Sequence, residues 1–281
     1  MKKYGGNELN YLKQVLNNKK PSTGSWNKEL ERKFSKVFKG KYAIAMNSGT
    51  ATLHSALEAL GVSAGDEVIS PALTVIMDTT ATLHANAIPV YADVDRETYN
   101  ITADEIEKKI TKKTKAIIVV SVYGLPCDMD GIMKLSKKYK IPIIEDHAQT
   151  VLATVNNKIV GVRGDFASWS FESSKHISSG EGGMLLTNNS SLAQKARKIS
   201  GQGYANLTAD GGVIKFGNNS DFLSPKFNRH DTLGWNYRMN EFTAAIALAQ
   251  LENIEEKVEK RVYVANKFLE VINQYEILKP Q

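Results

Sequence analysis

The sequence has a single cysteine, Cys127, among its 281 residues. One thiol cannot form an intramolecular disulfide, which argues against a secreted protein held together by disulfide bonds. Long apolar runs are missing too: no stretch of about 18 apolar residues occurs, and the opening MKKYGGNELNYL lacks the apolar core of a signal peptide. These absences predict a cytoplasmic protein without a membrane partner.

Charge of one sign is not concentrated anywhere in the chain. The net charge is +6, with 23% charged and 42% hydrophobic residues. Lysine pairs such as Lys108-Lys109, Lys112-Lys113 and Lys137-Lys138 are spread over helix-like segments without interleaved aromatic residues. We therefore expect no nucleic-acid partner. A chain of this length can bury one large α/β domain, with or without a small second one.

Hydrophobic periodicity predicts a three-layer α/β/α fold with a mostly parallel central sheet. Segments 7–20 and about 30–40 have helical spacing and are joined by the loop Pro21–Ser25. Strand and helix patterns then alternate, which is typical of parallel sheets covered by helices on both faces. The predicted strands are 42–46, 67–70, 89–92, 116–122, 141–144, 166–171 and 184–187, and the predicted helices include one that begins after Thr50, 74–85, 103–110 with Thr102 as N-cap, 131–139 and 188–200.

The last eighty or so residues change in character. Region 201–228 is rich in Gly, Asn and Asp and predicts an extended loop. Asn240 is a good N-cap for a helix over 241–257, and another helix is predicted over 260–273.

Polar side chains follow three of the predicted strands at the point where each strand ends. These are the clusters Asn47–Thr50, Asp146–Gln149 and Ser170–Lys175. Since ligands of open α/β folds bind at the carboxyl ends of the strands, three clusters at one edge predict a ligand site there. Each cluster also has a simpler reading: a helix cap by Ser48 or Thr50, a structural salt bridge at Asp146, and a surface-loop lysine at Lys175.

Taken together, the three clusters supply what is needed to hold pyridoxal 5′-phosphate. A flexible amine such as Lys175 can form an imine with the aldehyde. A carboxylate such as Asp146 keeps the pyridine nitrogen protonated, so that the ring accepts electrons. The helix that follows Asn47–Thr50 presents free N–H groups to a phosphate. No metal site is predicted.

Six segments also carry a resemblance to a known family. The sequence resembles the DegT-type sugar aminotransferases, a pyridoxal-phosphate-dependent family of the aspartate-aminotransferase fold (fold type I, large domain). The segments are NSGTATLHSAL at 47–57, ISPALT at 69–74, VYADVDRETYNI at 90–101, IEDHAQ at 144–149, SFESSKHISSGEGGM at 170–184 and GWNYRMNEFTAAIALAQLE at 234–252.

The resemblance implies a role for each matching position. Family members are homodimers with active sites shared between subunits. Lys175 would form the imine and shuttle the proton, Asp146 would pair with the pyridine nitrogen, and Gln149 would contact the phenolic oxygen. The phosphate would be held by Gly49, Thr50, Ala51 and Ser170. Asn236 would reach the phosphate of the neighbouring subunit's site with support from Arg238, and Glu181 would lie near the active site.

Two features depart from the family pattern. An aromatic residue that stacks on the pyridine ring often follows the threonine of the PALT-like segment, but Val75 stands there in this sequence. Family members also continue well past the position of Gln281 into a small domain that helps to bind substrate. We therefore expect residues 1–250 to form the large cofactor-binding domain with its N-terminal helical segment, and 251–281 to be the start of a small domain whose remainder is absent.

The function that follows from the resemblance is transfer of an amino group from an amino acid, glutamate being favoured, to a nucleotide-linked keto-sugar. One alternative is a sugar dehydratase of the same family, in which histidine replaces the lysine. Because His176 directly follows Lys175, a shift of one position in the alignment would exchange the two readings. The other alternative is a truncated, non-catalytic relative that acts as a regulatory or binding protein.

Overall fold

The computed structural model describes residues 4–18, 24–211 and 224–280. Its main helices, α1 to α9, are Glu8–Asn17, Ser25–Phe38, Gly49–Ala59, Met77–His84, Ala103–Glu107, Met129–Tyr139, Ser190–Ser200, Glu241–Glu252 and Ile254–Ile272. The strands β1 to β9 are Tyr42–Met46, Glu67–Pro71, Ile88–Ala92, Thr114–Val120, Ile143–Asp146, Thr154–Val155, Lys158–Ile159, Phe166–Ser170 and Gly183–Thr187, and a short 3₁₀ turn covers Val122–Gly124.

Seven of these strands form the central sheet, in the order β1-β9-β8-β5-β4-β2-β3. Neighbours from β8 to β3 pair in parallel, while β9 is antiparallel to both β8 and β1. Since β1 therefore points the same way as β8, every strand of this sheet except β9 ends at the same edge. The small hairpin β6-β7 lies apart from it.

Alternate residues of the strands face two different helical layers, as the pleat of a strand requires. In β4, Ile118 and Val120 belong to the core beneath α3, α4 and α7. Ile117 and Val119 belong to the core beneath α5 and α6, and α2 and α8 cover the rest of that face. The predicted three-layer α/β/α fold with a mostly parallel sheet is confirmed.

A buried ion pair joins α2, α7 and β1. Arg197 on α7 donates to both carboxylate oxygens of Glu31 on α2, at 3.0 and 3.2 Å, and to the Ala43 carbonyl at 2.9 Å. Glu31 Oε1 also accepts the Ala45 N–H at 2.9 Å. Because the guanidinium and the carboxylate both have hydrogen-bond partners, this ion pair fixes the positions of the helical layers on opposite faces of β1 relative to each other.

Several predicted helix boundaries were wrong. Helix α4 begins at Met77 instead of position 74, because the residue-74 hydroxyl bonds the Asp78 side chain and the preceding residues form a loop. The helix predicted over 241–257 ends at Glu252, since Asn253 leaves helical geometry and bonds the Ala249 carbonyl through its side chain. The following helix therefore starts at 254, earlier than the predicted 260.

Some predictions fall on residues that the structure does not describe. Most of the loop Pro21–Ser25 and the end of the helix 7–20 lie among residues 19–23. Positions 212–223 of the loop 201–228 also lie outside the described residues. Among the helices of the described ranges, none combines the length and apolar character needed to cross a bilayer.

Candidate active site

The ends of β1 and β8 lie on either side of the first residue of β9. Gly183 pairs in register with Met46 at the end of β1 and with Ser170 at the end of β8. A side chain at residue 183 would not fit, because its Cβ would lie 2.6 Å from the Ser48 carbonyl oxygen. The turn after β1 and the end of β8 are therefore brought together, as the sequence predicted.

The helix start after β1 forms a cradle for an anion. The N–H groups of Gly49 and Thr50 have no hydrogen-bond partner among the residues that the structure describes. A Cβ on residue 49 would lie 2.9 Å from the Ser170 Cβ, so the missing side chain keeps this space open. The Ala51 N–H, by contrast, already bonds Ser48 Oγ at 3.1 Å. The simpler reading of Ser48 as a helix cap thus holds beside the cradle, and it leaves Ala51 without a free amide for a phosphate.

Asp146 ends β5 with its carboxylate buried in the α3-facing half of the molecule. Its Oδ1 accepts the Ala148 N–H at 2.9 Å. Burial raises the pKa of Asp146, and the Ala148 N–H bond and the neighbouring Lys175 charge partly oppose that rise. A buried carboxylate with so little compensation favours a cationic partner such as a protonated pyridine nitrogen.

Gln149 lies on the loop after Asp146 with its side chain already oriented. Its Oε1 accepts the Tyr123 N–H at 2.7 Å, across from the turn after β4. The side-chain NH₂ is then free to donate to a ligand oxygen. This orientation suits the predicted contact with a phenolic oxygen.

Lys175 is half-buried in the turn that follows β8. Its backbone N–H donates to the Glu172 carbonyl at 3.0 Å, and its amine forms no hydrogen bond or ion pair within the described ranges. Hydrogen bonds from Ser173 and Ser174 lower the pKa of the Glu172 carboxyl to about 2, so this group stays anionic near the lysine. An amine held at a strand end without a partner is suited to bond a ligand.

His176 has a different environment from Lys175. Burial, with the charges of Arg261 and Lys175, lowers the pKa of His176 to about 4, so the imidazole is neutral at pH 7. Among the charges that act on the Asp146 carboxyl, Lys175 is present and His176 is not. The arrangement therefore supports Lys175 as the residue facing the cofactor position.

The segment around Asn236 lies across the ends of β1 and α7. The Asn236 carbonyl accepts a hydrogen bond from Asn47 Nδ2 at 3.3 Å, while its side chain is exposed. Arg238 donates through Nη1 to Gln202 Oε1 at 2.8 Å. An exposed Asn236 remains available to a second subunit.

Glu181 and Val75 are the two remaining positions of the prediction. Glu181 is exposed, and its carbonyl accepts the Ser179 hydroxyl at 2.8 Å. Val75 lies exposed in the loop between β2 and α4.

Asp78, in the first turn of α4, is a residue that the sequence analysis missed. It is fully buried, its Oδ2 accepts the Thr74 hydroxyl at 2.6 Å, and its Oδ1 has no partner in the described part of the chain. Burial and the nearby Asp146 raise the pKa of Asp78 well above its usual range. The available signal was an aspartate in the first turn of a helix that follows a strand end.

The residues at this edge fit pyridoxal phosphate on structural grounds alone. The space kept open between Gly49 and Ser170, with two free amides, suits a phosphate. The buried Asp146 suits a pyridinium, and the free amine of Lys175 suits an aldehyde. When bound, the cofactor supplies an electron sink for the carbon that carries the amino group.

Other features of the described chain add nothing to this site. No group of three His, Cys, Asp or Glu residues in the described ranges is placed to hold a metal ion. An open depression of about 430 Å³ lies at the opposite edge of the sheet, away from the polar clusters; it is lined by Gly164, Asp165, Thr187, Asn188, Asn189 and Ser190.

Fold and site together are typical of pyridoxal-phosphate-dependent transferases of the aspartate-aminotransferase fold. Within that class, the chain belongs to the DegT/DnrJ/EryC1/StrS aminotransferase family, whose profile matches residues 2–280. GDP-perosamine synthase of Escherichia coli O157:H7 is 37% identical over 269 residues, covering 95% of this chain and 69% of the relative. GDP-perosamine synthase of Caulobacter vibrioides is 39% identical over 257 residues, covering 91% of this chain and 64% of the relative.

Solved structures agree with this assignment. An aminotransferase from Psychrobacter cryohalolentis matches with a TM-score of 0.86 and 34% identity, over 99% of this chain and 70% of that one. A Bacillus subtilis structure with bound cofactor PMP matches with a TM-score of 0.81 and 28% identity, over 97% of this chain and 59% of that one. The predicted family, aminotransferase class and pyridoxal-phosphate cofactor are confirmed. The chain spans 64–69% of the length of the two curated relatives.

Proposed function

We propose that the protein transfers an amino group from an amino acid, glutamate being favoured, to a nucleotide-linked keto-sugar. The observation that carries the proposal is the unpartnered amine of Lys175, whose charge acts on the buried Asp146 carboxyl. The name GDP-perosamine synthase of two relatives supports a guanosine-diphosphate-linked sugar as the acceptor. The dehydratase alternative would need His176 in the place of Lys175, and the surroundings of His176 do not support that exchange.

Each site residue has a defined task in this reaction. Lys175 would hold the cofactor at its aldehyde carbon and would carry a proton on its Nζ atom. Asp146 holds a proton on the pyridine nitrogen, which keeps the ring electron-poor. Gln149 orients the cofactor through its free NH₂ group, and the amides of Gly49 and Thr50 with the Ser170 hydroxyl hold the phosphate.

We also propose a homodimer with shared sites, in which Asn236 reaches the phosphate of the neighbouring subunit. Support comes from the surface beside the site, where most of the exposed side chains on and before α4 are apolar. An unusually large exposed apolar surface marks a contact region. The exposed apolar side chains here are Leu73, Val75, Ile76, Met77 and Leu83.

The domain boundary near residue 250 is likewise a proposal. Helix α8 packs in the core, whereas α9 buries only Ile254 and exposes Tyr263 and Phe268, each to 64%. Exposed aromatic residues along one helix are expected where a further domain or subunit covers it. Residues 1–250 would then form the cofactor-binding domain and 251–281 the beginning of a second unit. We place the protein in the cytoplasm, because its single cysteine is a buried free thiol.

Amino transfer is tested by following the cofactor spectrum. The purified protein, loaded with pyridoxal phosphate, is mixed with glutamate and then with a nucleotide-linked keto-sugar. We expect glutamate to convert the visible absorbance to that of pyridoxamine phosphate, and the keto-sugar to restore it. No change with any amino acid, in protein shown to have bound the cofactor, would contradict the proposal.

A further inference from the structure

The segment that carries Asn236 is held by its backbone on two sides. Trp235 N–H donates to the Ile199 carbonyl at 2.6 Å, and Tyr237 N–H donates to the Ser200 carbonyl at 2.9 Å, which ties the segment to the end of α7. The Tyr237 carbonyl accepts the Asn47 N–H at 2.8 Å, at the end of β1. The backbone of this segment is therefore anchored beside the phosphate cradle of its own chain.

The side chains of the segment point in alternate directions, as extended backbone requires. Trp235 and Tyr237 share one side, with nearly parallel rings whose centroids are 5.9 Å apart. Asn236 lies between them and is exposed on the other side. Whatever holds the two aromatic rings therefore constrains, together with the backbone bonds, the direction of the Asn236 side chain.

Two residues of α3 hold those rings. His54 is completely buried; its Nδ1 is 3.0 Å from the Tyr237 hydroxyl oxygen and its Nε2 is 3.2 Å from Glu58 Oε1. The Trp235 indole N–H donates to the same Glu58 carboxylate, at 3.1 Å to Oε1 and 3.2 Å to Oε2. One carboxylate and one imidazole therefore contact both aromatic side chains.

Packing of the two aromatic rings alone would not require the polar contacts of His54 and Glu58. A fully buried imidazole is costly unless its nitrogens have polar partners, and an apolar residue would fill the same space without that cost. Although burial opposes it, contact with His54 and Trp235 lowers the pKa of Glu58, so the carboxylate stays charged. His54 Nε2 lies close to Glu58 without forming a hydrogen bond, but the other polar contacts of this buried network favour one geometry over several.

We propose that His54 and Glu58 are positioning residues, which hold Asn236 in the orientation that the neighbouring subunit's cofactor site needs. The proposal rests on the shared dimer site proposed above. Helix α3 then serves two sites: its first turn, with Gly49 and Thr50, binds the phosphate of its own subunit, and its later turns align Asn236 for the other subunit.

Mixed dimers distinguish the role of the first turn of α3 from the role of its later turns. One chain carries Asn236→Ala and the other carries Lys175→Ala, so that each mixed dimer has one intact site, built from Lys175 of the first chain and Asn236 of the second. Glu58→Gln is then placed on either the first or the second chain. Glu105→Gln, which removes a half-buried carboxylate on α5, is the matched control. The readout is the dissociation constant of pyridoxal phosphate, measured by absorbance, with borohydride trapping to identify the loaded chain.

We expect Glu58→Gln to weaken cofactor binding about tenfold when it is on the chain that contributes Asn236, the loss typical of a hydrogen bond to a charged group. On the chain that contributes Lys175 the change stays within about twofold. Trp235→Phe, which keeps an aromatic ring and removes the indole N–H, should likewise weaken cofactor binding when it is on the chain that contributes Asn236 and not on the other chain. Equal effects from both chains, or none, would refute the positioning role while leaving the shared site intact. Absence of any trapped cofactor in the mixed dimer, beside loaded unmutated protein, would refute the shared site itself and the inference with it.

Discussion

Gly49 packs so closely against Ser170 that a Cβ atom on residue 49 would lie 2.9 Å from the Ser170 Cβ atom, closer than two such atoms approach in folded proteins. The contact joins the helix start after β1 to the end of β8, two elements separated by more than a hundred residues of chain. The size of residue 49 therefore controls both the packing of this edge and the space for an anion.

Gly49→Ala should weaken cofactor binding and destabilise the fold. The added methyl group forces the two strand ends apart, which costs about 1–3 kcal/mol. Cofactor affinity is measured by absorbance titration and stability by urea unfolding. Gly5→Ala is the control, since a Cβ there meets nothing within 4 Å. Equal behaviour of the two variants would show that the cradle tolerates a side chain.

Asp78→Asn should stabilise the protein at neutral pH. The folded-state pKa of Asp78 is raised by burial and by Asp146, so the wild type is most favoured below the unfolded pKa of about 3.9 and loses stability as the pH rises through the folded pKa. An asparagine does not titrate and still accepts the Thr74 hydroxyl bond. The gain at pH 8 should be about 1–3 kcal/mol, and it should shrink toward pH 4. Urea unfolding at both pH values tests this; a gain that does not depend on pH would contradict it.

His176→Gln should make the protein less sensitive to acid. The pKa of His176 is lowered to about 4 in the folded state, below the unfolded value of about 6.5. Wild-type stability is therefore fully present above pH 6.5 or so and is lost as the pH falls toward the folded value. Because the side chain is only partly buried, we expect a loss of about 2 kcal/mol that the variant lacks. Chemical unfolding at pH 7.5, 5.5 and 4.5 measures it, and parallel curves for the two proteins would argue against it.

Glu31→Ala should be far more damaging than Glu29→Ala, although both residues lie on α2 and both pair with arginine. Removing Glu31 leaves Arg197 buried without its carboxylate, which costs about 3–5 kcal/mol. The Glu29–Arg32 pair is exposed and contributes under about 1 kcal/mol. Thermal unfolding of the two variants compares them directly, and similar losses would mean that the buried pair is not a structural anchor.

Local signals in the sequence predicted much of this fold and the strand ends that meet at the candidate site. The caps at Thr102 and Asn240 form as expected, because each depends on one side chain and amides two or three residues away. The strands before the Asp146 and Ser170 clusters also form, although β5 ends two residues later and β8 one residue earlier than predicted. Information confined to a few neighbouring residues was sufficient for these features.

Features that depend on distant parts of the chain were missed. The insertion of β9 between β1 and β8 follows from pairing between strands far apart in sequence. In the sequence, Asp78 resembles an ordinary residue at a helix start, and only the fold places it near Asp146. Similarly, His54 resembles any other position on an apolar helix, and only the fold brings it into contact with Tyr237. Their roles arise from tertiary contacts that no local pattern records.

The central claim is that Lys175 carries the cofactor. The protein is loaded with pyridoxal phosphate, reduced with borohydride and digested, and the labelled peptide is sequenced by mass spectrometry. We predict one reduced cofactor per chain, on Lys175, and its loss in Lys175→Ala with the far-ultraviolet circular dichroism unchanged. A label on another lysine, or trapped cofactor that persists in Lys175→Ala, would contradict the account.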